Sequence, residues 1–183
     1  MHLVKTPLKD CFILEPQVFV DSRGYFFENY NQKKIEKLSL SKLNFVQDNE
    51  AFSNRGIIRG LHFQKGKHAQ AKLVRVIKGK VLDAVVDLRK NSPSYGSQFS
   101  VILSEENKKQ LFIPKGFAHG YSVLENNTIF SYKCDNYYCK ASEDGIIYND
   151  KTLNINWMLT EQEMQLSDKD KALPEFIEHA VYF

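Results

Sequence analysis

Four side chains stand out when the short β-rich runs of this chain are read at the strand period of two. In Thr128 to Cys134 the even positions put Tyr132 with Phe130 and Cys134 on the inward side. In Ala71 to Lys78, Lys72 shares a side with Val74 and Val76, which sets an amine against an apolar wall. His119 falls with Phe117, Tyr121 and Val123; His62 falls with Ile58, while Arg59 takes the other side with Leu61 and Phe63. An imidazole can take a proton near neutral pH, a phenol can return one while neutral at rest, and an ammonium stabilises developing negative charge. These are the parts of an acid–base catalyst. Taken singly, an inward His or Tyr more often only satisfies a core hydrogen bond, and a Lys can lay its stem on apolar surface with its head in water. Several strands each presenting one ionisable group to the interior is what a pocket requires.

Other chemistries find no motif. No HxH or HExxH pair offers a metal site, no GxSxG presents a nucleophile, and the P-loop and GxGxxG fingerprints are absent. The expectation is chemistry by side chains alone, with no metal and no cofactor.

The elements that must hold these groups are mostly strands. Runs rich in β-branched and aromatic residues cover Phe12 to Val20, Gly24 to Asn29, Gly56 to Gln64, Ala71 to Ile77, Lys80 to Leu88, Gln98 to Leu103, Gln110 to Ile113, Gly116 to Leu124 and Thr128 to Cys134. Turn signals such as Ser22-Arg23-Gly24 and Asn91-Ser92-Pro93-Ser94 separate them. Helical patterns are few: Asn31 to Ser39, with Ile35 and Leu38 three apart, and a Thr160 to Glu163 capping box expected to open a short C-terminal helix. The fold class expected is all-β, a jelly roll whose interior can hold a ligand, with short peripheral helices. At 183 residues, with neither repeat nor linker, residues 1–183 read as one domain. No run of 18 apolar residues occurs, and charges at Lys5, Lys9, Asp10 and Glu15 break the start, which argues against a spanning helix or secretory signal. Cys11, Cys134 and Cys139 cannot all pair within the chain and fit a reducing compartment, so the expected location is the cytoplasm.

Charge is unevenly spread. From Phe52 to Leu82 there are eight Lys and Arg and no Asp or Glu, while the whole chain nets only +3. Such a stretch is either a solvated face or a region of positive potential suited to a phosphate-bearing ligand.

The strings DSRGYFFENY (Asp21 to Tyr30), SNRGIIRGLHFQ (Ser53 to Gln64), AQAKLV within His68 to Gly96, IPKGFAHGYSVL (Ile113 to Leu124) and FSYKCDNYYCKASEDGI (Phe130 to Ile146) resemble the dTDP-4-dehydrorhamnose 3,5-epimerase family. The resemblance runs in order through almost the whole chain and ends near LSDKD, Leu166 to Asp170. It implies a cupin-type jelly roll, metal-free and usually a homodimer, that inverts carbons 3 and 5 of a nucleotide-linked 4-keto-6-deoxy sugar. By similarity His62 is the base, Tyr132 the acid on the opposite face, Asp170 the carboxylate paired with His62, and Lys72 lies near the keto oxygen. Carried over likewise, Arg23, Glu28, Gln47, Asn49, Arg59, His119, Glu143 and Lys169 hold the diphosphate, nucleoside and sugar, and Tyr138, rather than its neighbour Tyr137, stacks on the base.

Those roles make physical sense. A hydrogen beside a ketone is acidic because the carbanion delocalises onto oxygen, so a base, an oxyanion stabiliser and a proton donor on the far face suffice for inversion. The partners implied are a nucleoside-diphosphate sugar and a second copy of the chain, with neither nucleic acid nor membrane. Two departures from the usual family pattern, Lys65-Gly66-Lys67 and Lys151 where prolines are common, fall outside the proposed catalytic residues. The competing readings are an epimerase acting at one centre or on another nucleotide, a silent sugar-nucleotide-binding jelly roll, and a barrel binding single-stranded nucleic acid.

Overall fold

In a computed structural model, which describes residues 1–39, 43–176 and 183, thirteen strands and two short α-helices are found among the described residues. One antiparallel sheet has six strands in the order β1 (His2–Lys5), β2 (Phe12–Glu15), β10 (Gln110–Ile113), β7 (Lys72–Lys78), β12 (Thr128–Cys134) and β5 (Gln47–Ser53). The other has five, in the order β13 (Glu143–Gly145), β6 (Ile58–Gln64), β11 (Phe117–Val123), β8 (Lys80–Asp87) and β9 (Gln98–Ser104). A separate two-stranded ribbon pairs β3 (Val18–Asp21) with β4 (Gly24–Phe27).

The alternation of each strand explains the layering. Val74 and Val76 from the six-stranded sheet meet Val81, Val85, Phe117 and Val123 from the five-stranded sheet in one buried cluster, the space between the layers. The outer face of the five-stranded sheet, with Ile58, Leu61, Ala84 and Val86, is covered by Ile146, Leu153 and Trp157 from the C-terminal third. The outer face of the other sheet buries Leu14, Leu73 and Phe112 under Ile35 and Leu43. This is the expected jelly-roll layering, with both sheets covered on their outer faces.

Several boundaries differ from the sequence expectation. The run from Phe12 breaks at Pro16 into β2 and β3, which belong to different sheets. Strand β5 carries Gln47, Asp48, Asn49 and Glu50, so its alternating burial is not an alternation of apolar and polar residues. Helix α1 (Gln32–Ser39) forms where expected: the Asn31 side chain accepts from the Lys34 N–H at 3.1 Å and Ile35 is fully buried. The Leu38 side chain lies outside the described residues.

The Thr160 to Glu163 expectation needs correction. Glu163 does accept from the Thr160 N–H at 2.9 Å, yet only one turn follows. Gln165 then exchanges backbone hydrogen bonds with Gly56 and Ile58, which draws the chain out of helical geometry. The helix is instead α2 (Asp168–Lys171), where the Ser167 side chain accepts from the Asp170 N–H.

Candidate active site

A cavity of about 600 Å³ opens between the two sheets. Its walls include Arg59 and His62 from β6, His119 and Tyr121 from β11, Lys72 from β7, and Phe130 and Tyr132 from β12, with Leu166 to Asp170 across the mouth. A larger cavity of about 870 Å³ lies beside the N-terminal segment and β10. Its ionisable groups are spent or solvated: Lys115 pairs with Asp135, Asp10 with Arg89, and Lys5 and Lys9 are exposed. The acid–base groups are at the smaller one.

Strand periodicity placed Lys72, His119 and Tyr132 correctly, but not Arg59 and His62, which it put on opposite faces. Both line the cavity. The reason is one extra residue in β6: His62 pairs with His119 and Arg59 with Tyr121, so three steps on β6 oppose two on β11. This bulge flips the side-chain parity. It sits at Gly60, whose φ of +115° suits glycine, and where a Cβ would meet the Gly120 Cα at 2.6 Å.

The His62 Nε2 lies 2.7 Å from Asp170 Oδ1. The Asp170 carboxylate is buried at 5% exposure and its other oxygen accepts from the Gly60 N–H at 3.4 Å. Burial pushes this carboxyl upward, but the His62 and Gly60 donors outweigh it, and its pKa lies below the usual value. An ionised Asp170 fixes the imidazole and favours the imidazolium that forms on proton uptake. Tyr132 reaches the same cavity from the opposite sheet, its phenol pushed up by burial and so neutral at rest. The Lys72 ammonium stands 6.0 Å from the Tyr132 ring centre. Burial lowers its pKa, against the opposing influence of Cys134, Asp83 and Glu143.

Beside the cavity, and sharing His62, Lys72 and Tyr132 with it, a second recess holds Gln47, Asn49, Tyr138 and Glu143. These form one chain of contacts. Gln47 Nε2 donates to Asn49 Oδ1 at 3.0 Å, Gln47 Oε1 accepts from the Tyr138 N–H at 3.0 Å, and the Tyr138 hydroxyl donates to Glu143 at 2.8 Å. Lys169 pairs with Glu143, whose carboxyl is raised by burial but lowered overall by Lys169 and Tyr138. Tyr137 does not line the recess, and the segment carrying both tyrosines is irregular rather than a strand.

Two expected substrate contacts are elsewhere within this chain. Arg23 is exposed at the turn of the β3–β4 ribbon and pairs with Asp21, and Glu28 pairs with Lys34 at 2.7 Å. The acid-free stretch divides: Arg59 and Lys72 face the cavity, while Arg55, Lys65 and Lys80 pair with Glu163, Asp144 and Glu125. One residue went unread in the sequence: Asp83, fully buried, with Oδ2 2.9 Å from the His119 Nε2. Its signal was an acid inside the apolar run Val81-Leu82-Asp83-Ala84-Val85-Val86, on the inward parity.

A family model described as dTDP-4-dehydrorhamnose 3,5-epimerase matches residues 5–178. The dTDP-4-dehydrorhamnose 3,5-epimerase of Salmonella typhimurium is 50% identical over 174 residues, 95% of this chain and 94% of that one. The crystal structure of the enzyme of that name from Elizabethkingia anophelis superposes with a TM-score of 0.96 at 54% identity, covering 99% of each chain. That of dTDP-6-deoxy-D-glucose-3,5-epimerase from Legionella pneumophila, in complex with dTDP-4-keto-L-rhamnose, gives 0.93 at 44% identity, covering 98% of this chain and 94% of that one.

Proposed function

The chain belongs to the dTDP-4-dehydrorhamnose 3,5-epimerase family, and from that premise we propose that it converts dTDP-4-dehydro-6-deoxy-D-glucose to dTDP-4-dehydro-L-rhamnose by inverting carbons 3 and 5. The observation that carries this is His62 on one sheet, paired with Asp170 of helix α2, facing a cavity that Tyr132 enters from the other sheet. His62 takes the hydrogen beside the ketone as a proton, and the electron pair moves onto the keto oxygen. Asp170 stabilises the resulting imidazolium, and the Lys72 ammonium stabilises the enolate oxygen in a site poor in water. Tyr132 then gives its proton to the opposite face of the carbon, which restores the ketone with the centre inverted. His62 loses its proton to solvent and Tyr132 regains one, so each inversion exchanges one ring hydrogen with water.

Recognition of the rest of the substrate falls to Arg59 and His119 in the cavity and to Gln47, Asn49, Tyr138, Glu143 and Lys169 in the recess beside it. The Arg59 guanidinium suits two phosphate oxygens. Tyr138, half exposed at the recess mouth and tied to Glu143, supplies a face for the base.

The working unit in this reading is a homodimer. The β3–β4 ribbon leaves Val20 78% and Phe26 70% exposed, an apolar surface that a second copy would cover. The ribbon also carries Arg23, with Glu28 just beyond it, so a partner's ribbon is the route by which these two residues reach a substrate. Sedimentation should give a dimer that Phe26→Asp dissociates. The three free cysteines fit a cytoplasmic enzyme.

The test offers purified protein a panel of 4-keto-6-deoxy sugars linked to dTDP, GDP, UDP and CDP in heavy water. The dTDP sugar should be converted, with deuterium at carbons 3 and 5. Protium retained at both positions with every sugar of the panel would end this reading.

A further inference from the structure

Asp83 is a charged group that the proton transfers do not use. It lies in the middle of β8, the central partner of β11 and β9, and is fully buried. One carboxylate oxygen meets the His119 Nε2 at 2.9 Å, and the other has no hydrogen-bond partner among the described residues. A buried carboxylate with an unbonded oxygen is costly unless its charge is matched nearby. On the cavity wall the candidate is Lys72, which has no ion pair within 4 Å among the described residues. Asp83 (β8) and His119 (β11) sit in the five-stranded sheet and Lys72 (β7) in the sheet facing it; Lys72 shares its parity with Val74 and Val76, and Asp83 with Val81 and Val85, residues that meet between the layers.

We propose that Asp83 is a positioning residue: its carboxylate keeps the proton of His119 on Nε2, leaving Nδ1 to meet a ligand, and supplies the counter-charge that keeps the Lys72 ammonium charged before substrate binds. The proposal deepens the epimerase reading, and its kinetic part rests on it. Without such a charge a buried amine drifts toward its neutral form and cannot stabilise an oxyanion. The groups facing Lys72 are Asp83 on β8, Glu143 on β13 and Cys134 on β12; those facing His119 are Asp83, Lys72 and His62. Burial depresses both His119 and Lys72 and raises Asp83; Asp83 opposes that depression at the other two, whereas Lys72 lowers His119 further and so favours its neutral form. Glu143 is already held by Lys169 and Tyr138, whereas Asp83 meets His119 through one oxygen and keeps the other without a hydrogen-bond partner among the described residues.

Asp83→Asn keeps an acceptor for the Nε2–H and removes only the charge. In ligand-free protein carrying ¹³C-lysine, the Lys72 resonance, identified by its loss in Lys72→Met, is followed as pH rises. Its midpoint should fall in Asp83→Asn, by about one pH unit, the order expected when a unit charge is removed from the surroundings of a desolvated amine. The alkaline limb of kcat/KM should fall by the same amount. The ¹⁵N shifts of His119 in the unmodified protein should be those of the Nε2–H tautomer. An unmoved Lys72 midpoint, a His119 proton on Nδ1, or a Lys72 that is already a neutral amine at pH 7 would each overturn the proposal. The last two are read without the variant and stand even if Asp83→Asn does not fold. Absence of turnover by the unmodified protein would refute the epimerase reading instead, leaving the two titrations to decide this one.

Discussion

Asp170→Asn removes one charge from the pair in which His62 is the proposed base, while keeping shape and bulk. In the folded protein the two side chains are 2.7 Å apart at their closest atoms, with Asp170 buried and the His62 side chain 28% exposed. Unit charges centred about 4 Å apart interact by about 4 kcal/mol at an effective dielectric near 20, and solvent at the partly open imidazole removes up to about half of that. The carboxylate acts mainly after the proton has arrived, so the loss falls on the transition state rather than on substrate binding. About 2 to 4 kcal/mol corresponds to a decrease in kcat of about 30- to 1000-fold. The assay is conversion of dTDP-4-dehydro-6-deoxy-D-glucose at saturation, with dTDP affinity measured in parallel and expected to change little. A folded variant that turns over within roughly threefold of the unmodified protein would refute the pairing as a contributor to the rate.

Tyr132→Phe should separate the two half-reactions: with His62 intact, ring hydrogens should still exchange into heavy water while epimerised product falls below detection, and exchange lost together with inversion would count against Tyr132 as the donor. Gly60→Ala should cost about 3 kcal/mol or more in urea unfolding, because φ is +115° and the new methyl meets backbone at 2.6 Å; Gly24→Ala, with a φ of +123° but open space, should cost about 1 kcal/mol. A pH effect on stability follows from Asp87, which is fully buried and accepts from Arg89 at 2.8 and 2.9 Å, Ser92 at 2.6 Å and Ser94 at 2.7 Å. Burial raises its pKa, but the donors lower it overall, so its contribution is present above the unfolded value of about 4 and is lost as pH falls through the lower folded value. Thermal melts below that point should converge for Asp87→Asn and the unmodified protein, with the variant less stable at pH 7; parallel curves would contradict the assignment.

How much of this could be read beforehand depended on local regularity. Lys72, His119 and Tyr132 sit where β7, β11 and β12 keep a period of two, the register shift between β7 and β12 falling at the far end near Lys78 and Ile129, so alternation alone aimed them inward. The same rule misplaced His62 relative to Arg59 because one inserted residue at Gly60 and Leu61 shifts the register, and no hydrophobic pattern marks a bulge. Strand β5 was invisible for the opposite reason: Gln47 and Asn49, which face the recess beside the cavity, are polar, as a ligand requires, and only Ala51 of the strand lines the cavity, so the apolar stripe of a core strand is missing. Asp170, Glu143 and Lys169 lie in a four-residue helix and a three-residue strand, too short for any period, and only the family resemblance pointed to them. Arg23 and Glu28 stand away from the cavity of their own chain, which a contact argument within one chain could not reveal.

The placement of the proposed proton acceptor and proton donor on different layers of the sandwich has a consequence for how this scaffold can change. Handedness at the reacting carbon is written into which sheet supplies which group, and the sheets are joined through a shared apolar interior rather than by an adjustable loop. Loop substitutions around the mouth can therefore alter which sugar is admitted, or how long it stays, without touching the sense of inversion. Reversing that sense would require trading an imidazole with its carboxylate for a phenol across the cavity, from one sheet to the other, a change that no single substitution accomplishes.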